Sequence, residues 1–263
     1  QLKTYYMALV DNQDKAAFYD GTVKVINPEG KEYVRFHPRD YDQYIGEWVE
    51  PWTYIRLTHL KPLGWQGLKE GDGTSLYRVA PLARLNVAEG MQTPLAQKEA
   101  EIMFDTLGGK PAHHTLATHW ARLICALQAA ENNVAIAEDP RLTSKDIRNM
   151  NLQLRKKGVG CVEAPRGTLF HHYETDDDGL LTKVNLIVAT QNNAAPICLS
   201  IKKAAQEFVQ GPDVKEGFLN RVEMAFRAYD PCLSCATHSL PGAMPLEIKI
   251  RDCQGAVIRE IIR

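Results

Sequence analysis

From Thr93 to Glu131 the apolar residues recur at helical spacing, whereas on both sides of that stretch they alternate between short turns, so the chain must pack helices against small sheets. Pro94 suits a first helical turn after Thr93, and Gly108-Gly109 stops that helix after Leu107. A second helix is predicted over His114 to Glu131, with Leu116, Trp120, Leu123, Ile124 and Leu127 on its buried face, and a shorter polar helix over Ser144 to Lys157. Upstream, FYDGTVKVIN and KEYVRF flank Pro28-Glu29-Gly30 as a hairpin, and Tyr5 to Val10 already reads as structured sequence. The stretch from Asp40 to Tyr77, with Trp48, Trp52 and Trp65 among many Gly and Pro, reads as irregular packed connection. Downstream, EAPRGTLFHHYET and TKVNLIVAT form a hairpin through Asp176-Asp177-Asp178-Gly179, a solvated turn without calcium-loop spacing. Helices follow over Pro196 to Val209 and Val214 to Tyr229, the latter ended by Asp230-Pro231. The expected class is α+β, mainly helical with small β-hairpins.

Over 263 residues, a 44% hydrophobic content is enough to bury a sizeable core, and 31 basic against 32 acidic residues leave no long-range field for nucleic acid or a membrane surface. The longest apolar stretches fall far short of a bilayer span and no signal-peptide pattern opens the chain, so a soluble, cytoplasmic protein is expected. Opening on Gln1, it reads as a fragment. Six cysteines, at 125, 161, 198, 232, 235 and 253, are too sparse for a disulfide scaffold, and reduced thiols are expected.

Cys232 and Cys235 are the one close pair, set directly after a predicted helix end, where both sulfurs can reach one soft metal ion. A lone CxxC also admits structural zinc, a redox dithiol or chance. Zinc would want a second Cys or His pair, and Cys125, Cys161, Cys198 and Cys253 are isolated; a thioredoxin-type dithiol would want a strand before and a helix after, whereas a helix precedes this pair and Pro241 follows. Buried, inert thiols are the expected role of Cys125, Cys161 and Cys198. His113, His114 and His119 are read as packing and local hydrogen-bonding residues at a helix start, and of His171 and His172, on opposite strand faces, only one can support a site near Arg166.

Asp230-Pro231-Cys232-Leu233-Ser234-Cys235-Ala236-Thr237-His238 resembles the complete C-terminal DPCxxCxxH motif of nickel-iron hydrogenase large subunits. Glu163 to His172 resembles that family's APRG segment, Leu186 to Asn193 its segment around the iron's cyanide ligands, and Phe18 to Gln97 the soluble cytoplasmic members, so the likeness spans nearly the whole chain. The resemblance implies the large-subunit fold, here incomplete at its N-terminus. It implies a nickel-iron centre with CO and cyanide on iron, with Cys232 a terminal nickel ligand, Cys235 bridging nickel and iron, and His238 together with the Leu186 carbonyl holding a nearby magnesium or similar cation. Pro165 and Arg166 would line the centre, Thr190 would donate to cyanide, and Asp230 would orient Arg166; where many members carry proline before that hydroxyl, this chain has Ala189.

The implied activity is reversible cleavage of hydrogen into protons and electrons, a terminal thiolate such as Cys232 taking the proton. Implied partners are electron-acceptor subunits, an iron-sulfur small subunit, a maturation chaperone and an endopeptidase. The family's RxCGxC motif, source of the other two cysteine ligands, is absent, so this chain alone cannot build the centre. Residues 1-238 are expected to form the C-terminal portion of the hydrogenase large subunit, with 239-263 an extension removed on maturation; that extension would open with a turning link at Ser239 to Gly242 and continue as a hairpin around Cys253-Gln254-Gly255. A metal-free relative in a respiratory quinone-reductase complex and a zinc-binding interaction module stand as alternatives.

Overall fold

In a computed structural model of the chain, residues 1–148, 150–151, 153–209, 211, 216–237 and 247–262 are described. The elements are β1 (Tyr5–Val10), β2 (Thr22–Ile26), β3 (Glu32–Phe36), α1 (Tyr41–Tyr44), β4 (Ile45–Trp48), β5 (Leu57–Leu60), β6 (Tyr77–Arg78), α2 (Pro81–Val87), α3 (Pro94–Leu107), α4 (Ala117–Ala137), β7 (Lys157–Ala164), β8 (Gly167–Thr175), β9 (Leu181–Ile187), α5 (Ala189–Asn192), α6 (Ala194–Phe208), α7 (Glu216–Arg227), α8 (Leu233–Thr237), β10 (Glu247–Arg251) and β11 (Val257–Ile262). The expected α+β class holds.

β1 is the centre of a four-stranded sheet ordered β3-β2-β1-β6, in which only the β1–β6 pairing is parallel. Successive side chains of a strand face opposite ways, and here both faces are covered: Tyr6, Ala8 and Val10 join α2, α3 and α4, while Met7 and Leu9 join Tyr77, Val79, Phe170 and Ile187. That two-sided burial explains why Tyr5 to Val10 shows no polar alternation. The hairpin around Pro28-Glu29-Gly30 is present as β2 and β3, and the Asp176 to Gly179 turn joins β8 and β9 in a three-stranded sheet that β7 completes.

α3 begins and ends where expected, with Pro94 in its first turn and Gly108 left-handed at φ 86°. Its free N-terminal amides find a partner on the next helix, because the Glu131 carboxylate accepts from Leu95 N–H at 3.2 Å and Ala96 N–H at 3.1 Å.

Three expectations are corrected. α4 starts at Ala117; of the predicted face Ile124 is buried and Trp120 and Leu127 pack against the core, but Leu116 and Leu123 are exposed, and Ala117, Thr118, Ala121, Cys125 and Gln128 complete the inner face, mostly small residues that let the helix approach α2 closely. Ser144 to Lys157 forms no helix among its described residues: β7 takes Lys157, and Ile147, Met150 and Leu154 stay exposed with no core to bury an amphipathic face against. Asp40 to Tyr77 is not wholly irregular, since β4 and β5 pair antiparallel, made possible at Gly46, where a Cβ would lie 2.5 Å from the His59 ring nitrogen. No helix among the described residues is long and apolar enough to cross a membrane.

Candidate active site

Three segments meet at one edge of the β7–β8–β9 sheet. The first is the β7–β8 tip, Pro165-Arg166, closed by the Ala164–Gly167 pair. Gly167 has φ 125°, and a Cβ there would sit 2.4 Å from the Ala80 nitrogen and from Val79 Cγ2, so only glycine lets the tip lie flat against the start of α2. Beneath the tip Glu163 is buried with both oxygens engaged: Oε1 accepts from Leu9 N–H at 3.0 Å and the Thr168 hydroxyl at 2.6 Å, and Oε2 accepts from Arg84 Nε at 2.9 Å and its terminal nitrogen at 2.8 Å. Arg84 also donates to the Ala164 carbonyl at 2.8 Å. Burial alone would lower the pKa of Arg84, but the facing Cys125 and Glu163 outweigh it, so the guanidinium stays charged.

The second segment follows β9. The strand ends at Ile187, and Ala189–Asn192 turns into α5, so Thr190 sits on a helical turn rather than on the strand expected for it. Its buried hydroxyl accepts from the Cys232 N–H at 3.1 Å. Gln191 Nε2 donates to Glu47 at 2.8 Å, and Asn192 and Asn193 reach Thr168 and Val79. Leu186, half-buried, pairs with His171 four residues before Thr190.

The third segment runs out of α7. Asp230 is left-handed at φ 50°, a conformation that aspartate tolerates, and the following Pro231 keeps α7 from continuing through it. The turn delivers the Asp230 carbonyl to Arg166 Nε at 2.5 Å, with Asp230 Oδ2 at 3.3 Å from the same nitrogen. Cys232 and Cys235 then straddle the opening turn of α8, where Ala236 N–H donates to the Cys232 carbonyl at 3.1 Å. So a helix does open at the pair, against the sequence expectation, though it is α7 and not a strand that precedes it.

The Cys232 and Cys235 Cα atoms are 5.3 Å apart and their sulfurs are bonded to each other, which corrects the expectation of reduced thiols at this pair. That Cα separation lies within disulfide reach, and the same convergence would let two thiolates share one ion. The other four cysteines are free, and burial pushes the thiols of Cys125, Cys161 and Cys198 up, as suits inert packing groups. His238 lies outside the described residues. Among the described residues no three His, Cys, Asp or Glu gather as a metal site.

Arg166, Asp230, Thr190, Cys232 and Cys235 are thus brought together, with Pro165 at the same tip. The donor set fits a soft metal in part: once reduced, the two cysteines would offer a pair of thiolates from Cα atoms 5.3 Å apart, on the segment whose Asp230 carbonyl holds Arg166. His172 turns into the core, its Nδ1 2.9 Å from the Tyr41 hydroxyl, while His171 Nδ1 lies 2.7 Å from the Tyr173 hydroxyl. His119 bonds locally to Arg122, whereas His113 reaches the distant Tyr6 hydroxyl on β1 at 2.7 Å, a long-range contact in place of the local one expected. Sequence reasoning assigned no role to Glu163, Arg84, Asn192 or Asn193. Their only signal was position inside or beside a quoted motif, because a buried polar residue does not differ in sequence from an exposed one.

Residues 73–238 match the family described as nickel-dependent hydrogenase, and the chain belongs to that family. It is 48% identical over 97% of its length to an iron-sulfur subunit of the F420-non-reducing hydrogenase of Archaeoglobus profundus, covering 53% of that protein. It is 38% identical over 98% of its length to the beta subunit of the NAD-reducing hydrogenase HoxS of Cupriavidus necator, covering 52% of it. The chain therefore spans about half the length of the curated relatives it matches. Among solved structures, an NAD+-reducing [NiFe]-hydrogenase in its H2-reduced state superposes with a TM-score of 0.83 at 40% identity, over 90% of this chain and 51% of that one. The Ni-Fe-Se hydrogenase of D. vulgaris Hildenborough shares the fold, with a TM-score of 0.57 at 19% identity over 90% of this chain and 53% of that one. These matches support the hydrogenase reading over the respiratory-complex relative and the zinc module.

Proposed function

We propose that the chain is part of the large catalytic subunit of a nickel-iron hydrogenase, which interconverts hydrogen with protons and electrons, and that Cys232 and Cys235 are two of the thiolate ligands of its metal centre. The observation that carries the reading is the hydrogen-bonded meeting of the motifs: Arg166 with Asp230, and Thr190 with Cys232. When bound, the nickel-iron centre, with CO and cyanide on iron, supplies heterolytic cleavage of hydrogen.

Each residue has a task that follows from its chemistry. With the Cys232–Cys235 bond reduced by two electrons and two protons to a pair of thiols, Cys232 Sγ would hold the metal as a thiolate and could serve as the base that takes up a proton. Arg166 is permanently charged and forked; with Nε held by Asp230, its terminal nitrogens remain to donate towards anionic ligands and reacting hydrogen. Thr190 Oγ1 receives the Cys232 amide, which leaves the hydroxyl proton free to donate inward. Pro165, with no N–H, presents an apolar wall beside Arg166. The Leu186 carbonyl and His238 would hold a hard cation such as magnesium.

The second cysteine pair lies outside these 263 residues, and the electron path comes from partners: electron-acceptor subunits and an iron-sulfur small subunit, in the cytoplasm. Residues 239-263 are read as the extension that an endopeptidase removes after a maturation chaperone has served metal insertion. In support, the family match ends at residue 238, and none of residues 248–251 and 257–261, the described side chains of β10 and β11, belongs to the three buried core clusters. Intact-mass analysis of the active enzyme, together with its hydrogen-dependent dye reduction, tests the reading. A large subunit that ends at His238 and turns over is the expected result; full activity with Arg263 still terminal contradicts the processing, and no activity in a metal-loaded assembly contradicts the function.

A further inference from the structure

Asn192, at the end of α5, is completely buried, yet both ends of its carboxamide are engaged: Oδ1 accepts from the Tyr77 hydroxyl at 2.5 Å and Nδ2 donates to the Thr168 carbonyl at 2.9 Å. Asn193 beside it, equally buried, accepts from Val79 N–H at 3.0 Å and points Nδ2 at the Arg166 carbonyl, 3.5 Å away. A buried carboxamide costs free energy unless it is bonded, and an apolar residue would fill the same space without that risk. What the two carboxamides add is direction.

The bonds join only elements that carry the site. α5 bears Thr190 and through it the Cys232 amide, Thr168 and Arg166 flank Gly167 at the β8 tip, and β6 with Val79 is the shared support beneath both. We propose that Asn192 is a positioning residue that sets Arg166 relative to the Thr190–Cys232 contact, with Tyr77 and Asn193 as its partners. It touches no reacting group. The inference rests on Arg166 being the working guanidinium, and it gives the segment after Thr190 a task in the same site.

The test is arginine-directed labelling of the full chain with phenylglyoxal, read peptide by peptide by mass spectrometry against the exposed references Arg56 and Arg141. Asn192→Leu keeps the branched shape with slightly more bulk and removes both hydrogen bonds, and Tyr77→Phe removes one hydroxyl in case the first variant does not fold. The expected result is Arg166 labelling about threefold faster relative to the references in Asn192→Leu, with a smaller change of the same sign in Tyr77→Phe. An unchanged ratio in both variants overturns the proposal, as does a rise shared equally by all three arginines, which is general loosening. In the assembled enzyme Asn192→Leu should lower turnover about tenfold with metal content retained, and cost nothing further in an Arg166→Lys background; an additive loss overturns the proposal. The labelling reads no hydrogen chemistry, so its failure sinks the positioning role alone.

Discussion

The floor of the site and its rim are built on different principles. Glu163, Thr168, Gln191, Asn192 and Asn193 are all buried, and hydrogen bonds tie them to β1, β4, β6 and α2. Arg166 and Asp230 keep 39% and 47% of their side chains exposed and bond to each other, Cys235 is exposed, and rim meets floor where Asn193 reaches the Arg166 carbonyl and the Cys232 amide reaches Thr190. Two such hydrogen bonds are worth about 1–3 kcal/mol together, less than the cost of breaking a buried ion pair. The cysteine segment is therefore held more weakly than the floor, which suits the ligand role proposed for it.

The contrast is most exposed to disproof through the floor. Glu163→Gln leaves the buried Arg84 guanidinium unpaired and should destabilise the chain by about 3–5 kcal/mol, read as a shift in urea unfolding. Loss of less than about 1 kcal/mol would mean that the floor is no more rigid than the rim. Arg166→Lys should do the reverse: unfolding unchanged and metal content near normal in the assembled enzyme, but hydrogen turnover about a hundredfold lower, because lysine keeps charge and loses the fork.

A remote network gives the baseline. Arg35 and Lys24 hold the Asp14 carboxyl down to about 2, below its ordinary value, so its stabilisation is complete above the unfolded value and is lost as pH falls through about 2. Asp14→Asn should flatten the pH dependence of stability between about pH 5 and pH 2, an effect of about 1 kcal/mol that urea midpoints across that range will measure. Smallest of all, removal of residues 239-263 should move the unfolding midpoint of the remainder by no more than about 0.5 kcal/mol, since the described side chains of β10 and β11 share no core cluster with it. A larger shift would make the hairpin part of the fold.

The rim was far more legible in the sequence than the floor. Asp230-Pro231 before a cysteine pair, the APRG tip and the hydroxyl at Thr190 are local patterns, and each landed at the same edge of the structure. Turn and cap chemistry was legible for the same reason, as with Gly108 after α3 and the turn ending in Gly179. The floor depends on residues up to 154 positions apart, such as Leu9 with Glu163, and no local pattern encodes such a meeting. The inner face of α4 was read in part: Ile124, Trp120 and Leu127 do meet the core, but Leu116 and Leu123 do not, because close approach there favours alanine over the larger leucines that periodicity singles out. Ser144 to Lys157 was misjudged because helical spacing forms a helix only where a surface exists to receive it.

Everything proposed for the rim depends on Cys232 and Cys235 holding metal, and elemental analysis of the assembled enzyme reads that out. Wild-type enzyme complete with the second cysteine pair should contain stoichiometric nickel and iron, and Cys232→Ser and Cys235→Ser should each lose nickel while the unfolding midpoint stays put. Nickel and iron retained at wild-type levels in both variants would show that the pair is not a ligand set.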